Sequence, residues 1–203
     1  MGKFGVDLLV YLTDADKGKV GTATVEMPPD RRKQTLIHLK RPAGRGVLAV
    51  LFPTLPGQKE PVVTTFAEGA GVKVQAEGRT DWIFLPERKG TCTVEGVTVS
   101  GSAAAFSQRG PAAYYWVERE TALSAQGLTV RSNFPVELLV QGKTITGRLS
   151  AKDATPVVTL SGAVAEQMVD VTYAGQTEQV AVEKGTVILR LPTGDTEFVV
   201  KLK

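Results

Sequence analysis

Apolar and polar residues alternate with a period of two along nearly the whole chain, as in Val20, Thr22 and Thr24 against Gly21, Ala23 and Val25. Successive side chains of a strand point to opposite faces, so this spacing gives each segment one face for a core and one for water. Apolar residues three and four apart, the mark of an amphipathic helix, hardly occur. The alternation predicts strands near 5–12, 20–26, 34–40, 46–52, 61–66, 71–76, 81–85, 91–99, 102–107, 112–118, 127–131, 135–140, 143–149, 156–160, 168–173, 177–183, 185–191 and 196–202. Many short strands divided by Gly, Pro and Asp clusters predict an all-β fold, an antiparallel multi-stranded β-sandwich.

Turn chemistry supports that reading. Gln141-Gly142-Lys143 and Ala174-Gly175-Gln176 place a glycine between two β-patterned runs, where a tight hairpin needs positive φ. Pro53, Pro56 and Pro61 surround Gly57 and predict a surface loop over 53–61, because proline has no N–H to give a ladder. Ser161 to Gln167 is the best segment for a helical turn, though Gly162 interrupts it. Beyond residue 134 the aromatic residues thin to Tyr173 and Phe198. That shift predicts a large sandwich over 1–134 and a small C-terminal β domain over 135–203, built from hairpins at 135–149, 156–173 and 177–202. Asn133-Phe134-Pro135 marks the junction, and the two parts are either separate or continuous.

Composition narrows the function classes. With 203 residues, 42% of them hydrophobic, the chain can bury a substantial core. The 24 Lys and Arg against 21 Asp and Glu leave a net charge of +3, too evenly mixed for a nucleic-acid-binding surface. No window of about 18 uncharged apolar residues suggests a membrane span. Met1-Gly2-Lys3 leads straight into the strand-like Val6 to Leu12, so no signal peptide is visible; the expectation is a cytoplasmic protein or one whose leader has been removed. Cys92, the single cysteine, excludes an internal disulfide and a Cys-rich zinc site, and its strand-like setting suits a small buried hydrophobe. The single histidine, His38, excludes a three-His zinc site and would have to serve any Ser-His-Asp arrangement.

A few positions have side chains suited to chemistry. His38 shares a strand face with Leu36 and Lys40, either exposed in a groove or held structurally by hydrogen bonds. Asp14-Ala15-Asp16 with Gly18 offers oxygen ligands to a hard cation, or simply an acidic hairpin turn. Arg31, Arg32, Lys33, Lys40, Arg41 and Arg45 follow one another with no intervening acid, and a guanidinium fork matches carboxylates and sulfates; a solvated loop would look the same. Trp82 shares a face with Phe84, and Trp116 with Tyr114, while Tyr115 points the other way. Such pairs either stack on sugar rings or fill the space between sheets. Glu118, Glu120 and Glu137 are acid–base candidates by residue type alone, and no nucleophile-elbow, phosphate-loop or dinucleotide motif occurs.

The order of segments resembles the C-terminal β-region of heparinase II/III-type polysaccharide lyases. The likeness runs through Leu9-Val10-Tyr11-Leu12-Thr13-Asp14, Thr35-Leu36-Ile37-His38-Leu39, Val47 to Pro53, and Thr80-Asp81-Trp82-Ile83-Phe84-Leu85. It continues through Gly127-Leu128-Thr129-Val130 and Val136 to Val140 into the terminal hairpins. The resemblance implies that Asp14 and His38 belong to a structural divalent-metal site. It also implies an acidic polysaccharide as partner, together with an upstream helical domain of the same enzyme and a secreted or periplasmic location. The helical toroid that carries the family's β-elimination machinery has no counterpart in these residues. The expected function is therefore that of a non-catalytic segment scaffolding or binding acidic polysaccharide, with Arg31, Arg32, Lys33, Arg41, Trp82 and Trp116 as sugar contacts. The alternatives are a stand-alone sugar-active lyase or hydrolase using His38 and Tyr114 for proton transfer, and a structural or adhesive module whose edge strands pair with a partner protein.

Overall fold

The structure, a computed structural model, describes residues 7–12, 19–27, 32–40, 48–55, 57–86, 88–162 and 168–202, with backbone alone for 7–9, 19–27, 32–40 and Thr54. The chain divides into two compact units, Met1–Gln58 and Lys59–Lys203. In the first unit, β1 (Asp7–Leu12) pairs antiparallel with β4 (Ala49–Thr54), and β2 (Lys19–Met27) pairs antiparallel with β3 (Arg32–Lys40). Pro53, expected in a loop, lies within β4 opposite Leu8.

The second unit opens with β5 (Val62–Phe66), a 3-10 turn at Ala67–Gly69, β6 (Gly71–Ala76), β7 (Arg79–Phe84), β8 (Gly90–Val94) and β9 (Val97–Gly101). It continues with β10 (Ala104–Arg109), β11 (Ala112–Val117), β12 (Thr121–Ala125), β13 (Leu128–Ser132), β14 (Val136–Gln141) and β15 (Thr144–Ala151). The last five strands are β16 (Val157–Ser161), β17 (Met168–Tyr173), β18 (Gln176–Ala181), β19 (Thr186–Arg190) and β20 (Gly194–Lys201). A ten-stranded sheet has the order β18-β17-β20-β15-β14-β11-β10-β7-β6-β5, and a six-stranded sheet the order β19-β16-β13-β12-β9-β8. The fold is an all-β antiparallel sandwich, as the alternation predicts. Its chain path is regular: hairpins β6–β7, β10–β11 and β14–β15 enter the larger sheet, and β8–β9 and β12–β13 enter the smaller one between them.

Several segments differ from their expected reading. Residues 91–99 are not one strand but the hairpin β8–β9, turning at Glu95-Gly96 with φ of 47° and 80°. Positive φ at both central residues matches the right-handed strand twist, and a glutamate there gives little sequence warning. β12 was absent from the alternation because Ala122, Ser124 and Ala125 are weak strand formers, yet it pairs with both β9 and β13. Strands β16 and β17, expected to form a hairpin, instead join different sheets, as do β18 and β19. The expected junction at 133–135 lies inside the second unit, where β11 pairs with β14 and β13 with β16 across it. Of the expected helical turn at 161–167, residues 163–167 lie outside the described residues.

The core lies between the two sheets. On β15, Ile145, Gly147, Leu149 and Ala151 are buried while Thr146, Arg148 and Ser150 are exposed. Facing them from the smaller sheet are Leu123, Val130, Val158, Leu160 and Val187, each 0% exposed. Each such side chain contributes roughly 1.5–3 kcal/mol by leaving water. Gly147 sits opposite Phe198, and a Cβ there would lie 2.1 Å from the Phe198 ring. The ring thus fills the volume that a side chain on β15 would otherwise take, and Phe66 does the same over Gly71. The Thr121 hydroxyl accepts the Ser102 N–H at 3.1 Å, tying the passage from β9 to β10 to the start of β12.

Candidate functional site: a groove on the outer face of the ten-stranded sheet

Register decides which aromatic residues can meet a ligand. Trp82 on β7 stands opposite Phe106 on β10, which stands opposite Tyr115 on β11. The three rings form a row on the inner face, with centroids 5.4 Å apart for Trp82–Phe106 and 5.0 Å for Phe106–Tyr115. Trp82 therefore packs against the core with Phe84, and Lys73 lies 5.8 Å from its ring. The Tyr115 hydroxyl donates to the Ala125 carbonyl at 2.8 Å, bridging the two sheets. Burial pushes the Tyr115 phenol up to about 12, because the phenolate would lose its hydration. Cys92 also turns inward and packs, partly buried, against the core.

The neighbouring residues on β11, Tyr114 and Trp116, face outward. Trp116 is opposite Ala105 on one side and Glu137 on the other; Glu137 is opposite Arg148, and Arg148 is opposite Glu197. A single cross-strand row on the outer face of β11, β14, β15 and β20 thus reads Trp116, Glu137, Arg148, Glu197. Strand spacing of about 4.8 Å keeps such neighbours within reach of one ligand. Arg148 Nη2 donates to Glu137 Oε2 at 2.8 Å, and both side chains remain more than half exposed.

Two depressions flank this row. One, of about 480 Å³, includes Ser107, Tyr114 and Leu139 with the row residues; the other, of about 590 Å³, includes Pro135, Ser150 and Asp195. They share Trp116, Glu137 and Arg148, so the two form one groove crossing the sheet. At its end the Arg109 guanidinium lies 5.7 Å from the Tyr114 ring, which is 39% exposed. Ser107, beside Tyr114 in register, has a buried Oγ without a hydrogen-bond partner. A buried unpaired hydroxyl costs about 1–3 kcal/mol.

No protein-family model matches the chain, and no curated protein matches it. The site is therefore read from its geometry. Of the residues expected to contact sugar, Trp116 lies in the groove and Trp82 lies on the opposite face of the same sheet. Arg32, Lys33 and His38 fall on β3, opposite Met27, Glu26 and Gly21, where the backbone alone is described. Asp14, Arg31 and Arg41 lie outside the described residues, so the metal pair Asp14–His38 and the cation run have no described side-chain geometry. Among the described residues no group of three or more His, Cys, Asp and Glu side chains could hold a metal. Also among them, no helix is long and apolar enough to cross a membrane.

Of the three candidate glutamates, Glu137 alone lines the groove, where the proton-transfer candidate Tyr114 also lies. Glu118 accepts the Arg119 N–H at 2.9 Å at the β11–β12 turn. Glu120 pairs there with Lys89 at 2.9 Å, and that hydrogen bond holds its carboxyl below the ordinary range. Sequence reasoning did not single out Arg148, Glu197 or Ser107. The signal for the first two was present in the β14–β15 hairpin: once Gly142 sets the turn, Glu137 and Arg148 must meet.

Proposed function

We propose that this chain is a non-catalytic β-sandwich segment, similar in segment order to the C-terminal region of heparinase II/III-type polysaccharide lyases, that holds a polysaccharide in the outer groove of its ten-stranded sheet. One observation carries the reading: Trp116 and Tyr114 share an outward face, inside a groove that also presents charged and hydroxyl groups. A pyranose ring has an apolar face and a polar rim, and it is bound by an aromatic face flanked by hydrogen-bonding side chains. The Tyr114 hydroxyl, the Arg148 guanidinium and the Glu197 carboxylate supply that rim. The acidic class of glycan expected from the resemblance rests on the Arg31–Arg45 cations of the first unit.

Calorimetric titration of the purified chain with heparin, alginate, chondroitin sulfate, cello-oligosaccharides and chito-oligosaccharides tests the reading. Binding of one class, weakened about tenfold or more in Trp116→Ala with an unchanged circular dichroism spectrum, supports it. No heat with any glycan, or binding indifferent to Trp116→Ala, rejects the groove. Sustained release of unsaturated uronides by the chain alone would replace the non-catalytic reading with the lyase alternative.

A further inference from the structure

The groove's charges bear on which sugar it takes. Resting on the reading above, we propose that the Trp116 groove selects amino sugars with free ammonium groups over uronate or sulfated chains. Its lining residues include three carboxylates, Glu137, Glu197 and Asp195, against one guanidinium, Arg148. Arg148 is already engaged by Glu137 at 2.8 Å, so it offers an incoming anion a partner only by giving up that pair. Of the described cations beyond the lining, Arg109 lies over the Tyr114 ring and Arg119 over the Phe134 ring next to Pro135.

A polyanion laid along Trp116 would thus set its charges against Glu197 and Asp195, with no free cation in the row to receive them. An ammonium group in the same place meets the opposite situation. It lies over or beside the Trp116 ring, whose π-face attracts cations. A second ammonium one sugar further along reaches toward Glu197 or Asp195, which are two residues apart on β20 and project to the same side. Tyr114, 39% exposed, provides an uncharged hydroxyl contact for a sugar at its end of the groove. The arrangement suits a linear chain of glucosamine-type residues: aromatic stacking for each ring, carboxylates for the ammonium groups, and a hydroxyl to orient one end.

The decisive experiment compares three soluble probes of similar length on the full chain: a chitosan hexasaccharide, its fully N-acetylated counterpart, and a heparin hexasaccharide. The expected order of affinity is chitosan first, the acetylated form about tenfold weaker, and heparin weakest at this site. Chitosan binding should fall as salt is raised from low to moderate concentration. Glu197→Gln, whose amide oxygen still accepts a hydrogen bond, should weaken chitosan about two- to fivefold, as for an exposed ion pair, and weaken the acetylated oligosaccharide less. Trp116→Ala should weaken both. If the acetylated chain binds as well as chitosan, or heparin binds best and loses affinity in Trp116→Ala, the groove holds a glycan but the charge argument is wrong. If no probe binds in a manner sensitive to Trp116→Ala, the glycan reading falls and this inference with it.

Discussion

Replacing Tyr115 by phenylalanine tests the join between the two sheets and carries its own pH signature. The Tyr115 side chain is 2% exposed, stacks edge-on against Phe106, and donates its phenol proton to the Ala125 carbonyl at the end of β12. Tyr115→Phe keeps the ring and removes the donor, leaving a buried carbonyl unpaired, so the folded state should lose about 1–2 kcal/mol near neutral pH. Because burial raises the folded pKa to about 12 from 10.0, the wild type binds a proton in the folded state that the unfolded chain has released. Its extra stability is therefore fully present below about pH 10 and is lost as pH rises toward 12, at about 1.4 kcal/mol per unit. Phenylalanine has nothing to titrate. The stability difference between the two proteins should shrink from about pH 10, vanish near pH 11 and reverse by pH 12. Urea unfolding followed by far-ultraviolet circular dichroism at about pH 8, 10, 11 and 12 measures it, and all other ionisable groups cancel in the comparison. A difference constant across that range would refute the buried phenol, and no difference at pH 8 would refute the inter-sheet hydrogen bond.

Three further substitutions probe the scaffold beneath the groove. Gly147→Ala puts a methyl 2.1 Å from the Phe198 ring and should cost about 1–3 kcal/mol by overpacking, lowering the urea midpoint; a neutral result would mean that the ring shifts freely. Asn133→Ala removes an acceptor for the Val157 N–H at 2.7 Å and a donor to Thr155 at 3.2 Å, so the β13–β14 connection keeps only its backbone bond to Val157 and loses its side-chain ties, at about 1–3 kcal/mol in the same assay. Ala174→Asn, at φ 47° beside Gly175 in the β17–β18 turn, should raise the unfolding free energy by up to about 1 kcal/mol and the urea midpoint with it, since asparagine tolerates the left-handed region better than alanine; destabilisation would argue that this turn is not formed as described.

Much of the fold was legible because alternation is a local signal: β14, β15 and β17 stand close to where spacing placed them, and the turns at Gly142 and Gly175 join the strands expected. What alternation could not supply was the layer each hairpin enters. Val157 to Leu160 and Val169 to Val171 look alike as patterns, yet β16 joins the smaller sheet and β17 the larger. That choice depends on which neighbours already offer an unpaired edge and an apolar face, a property of the assembled sheet. The turn at Glu95-Gly96 was missed for a different reason: the glutamate carries positive φ at a steric cost, while its carboxylate pairs with Lys73 on the other sheet at 2.6 Å.

The groove shows the same limit in sharper form. Trp82 and Trp116 sit in equally convincing alternating runs, and nothing local to either says which side of its strand is wet. The answer comes from register: Phe106 and Tyr115, both 2% exposed, place the Trp82 face inside, and the one-residue offset to Trp116 places it outside. Trp116, Glu137, Arg148 and Glu197 then meet although they come from four strands, because each antiparallel pairing carries the row one step further. A binding surface made this way has no sequence motif to find. Its composition is set by every second residue of strands far apart in the chain, so its charge can differ in sign from that of a run as conspicuous as Arg31 to Arg45. That is why the sugar class suggested by the most basic stretch of the sequence and the one suited to the groove can be opposite, and why binding measurements on Trp116 and Glu197 variants discriminate between them.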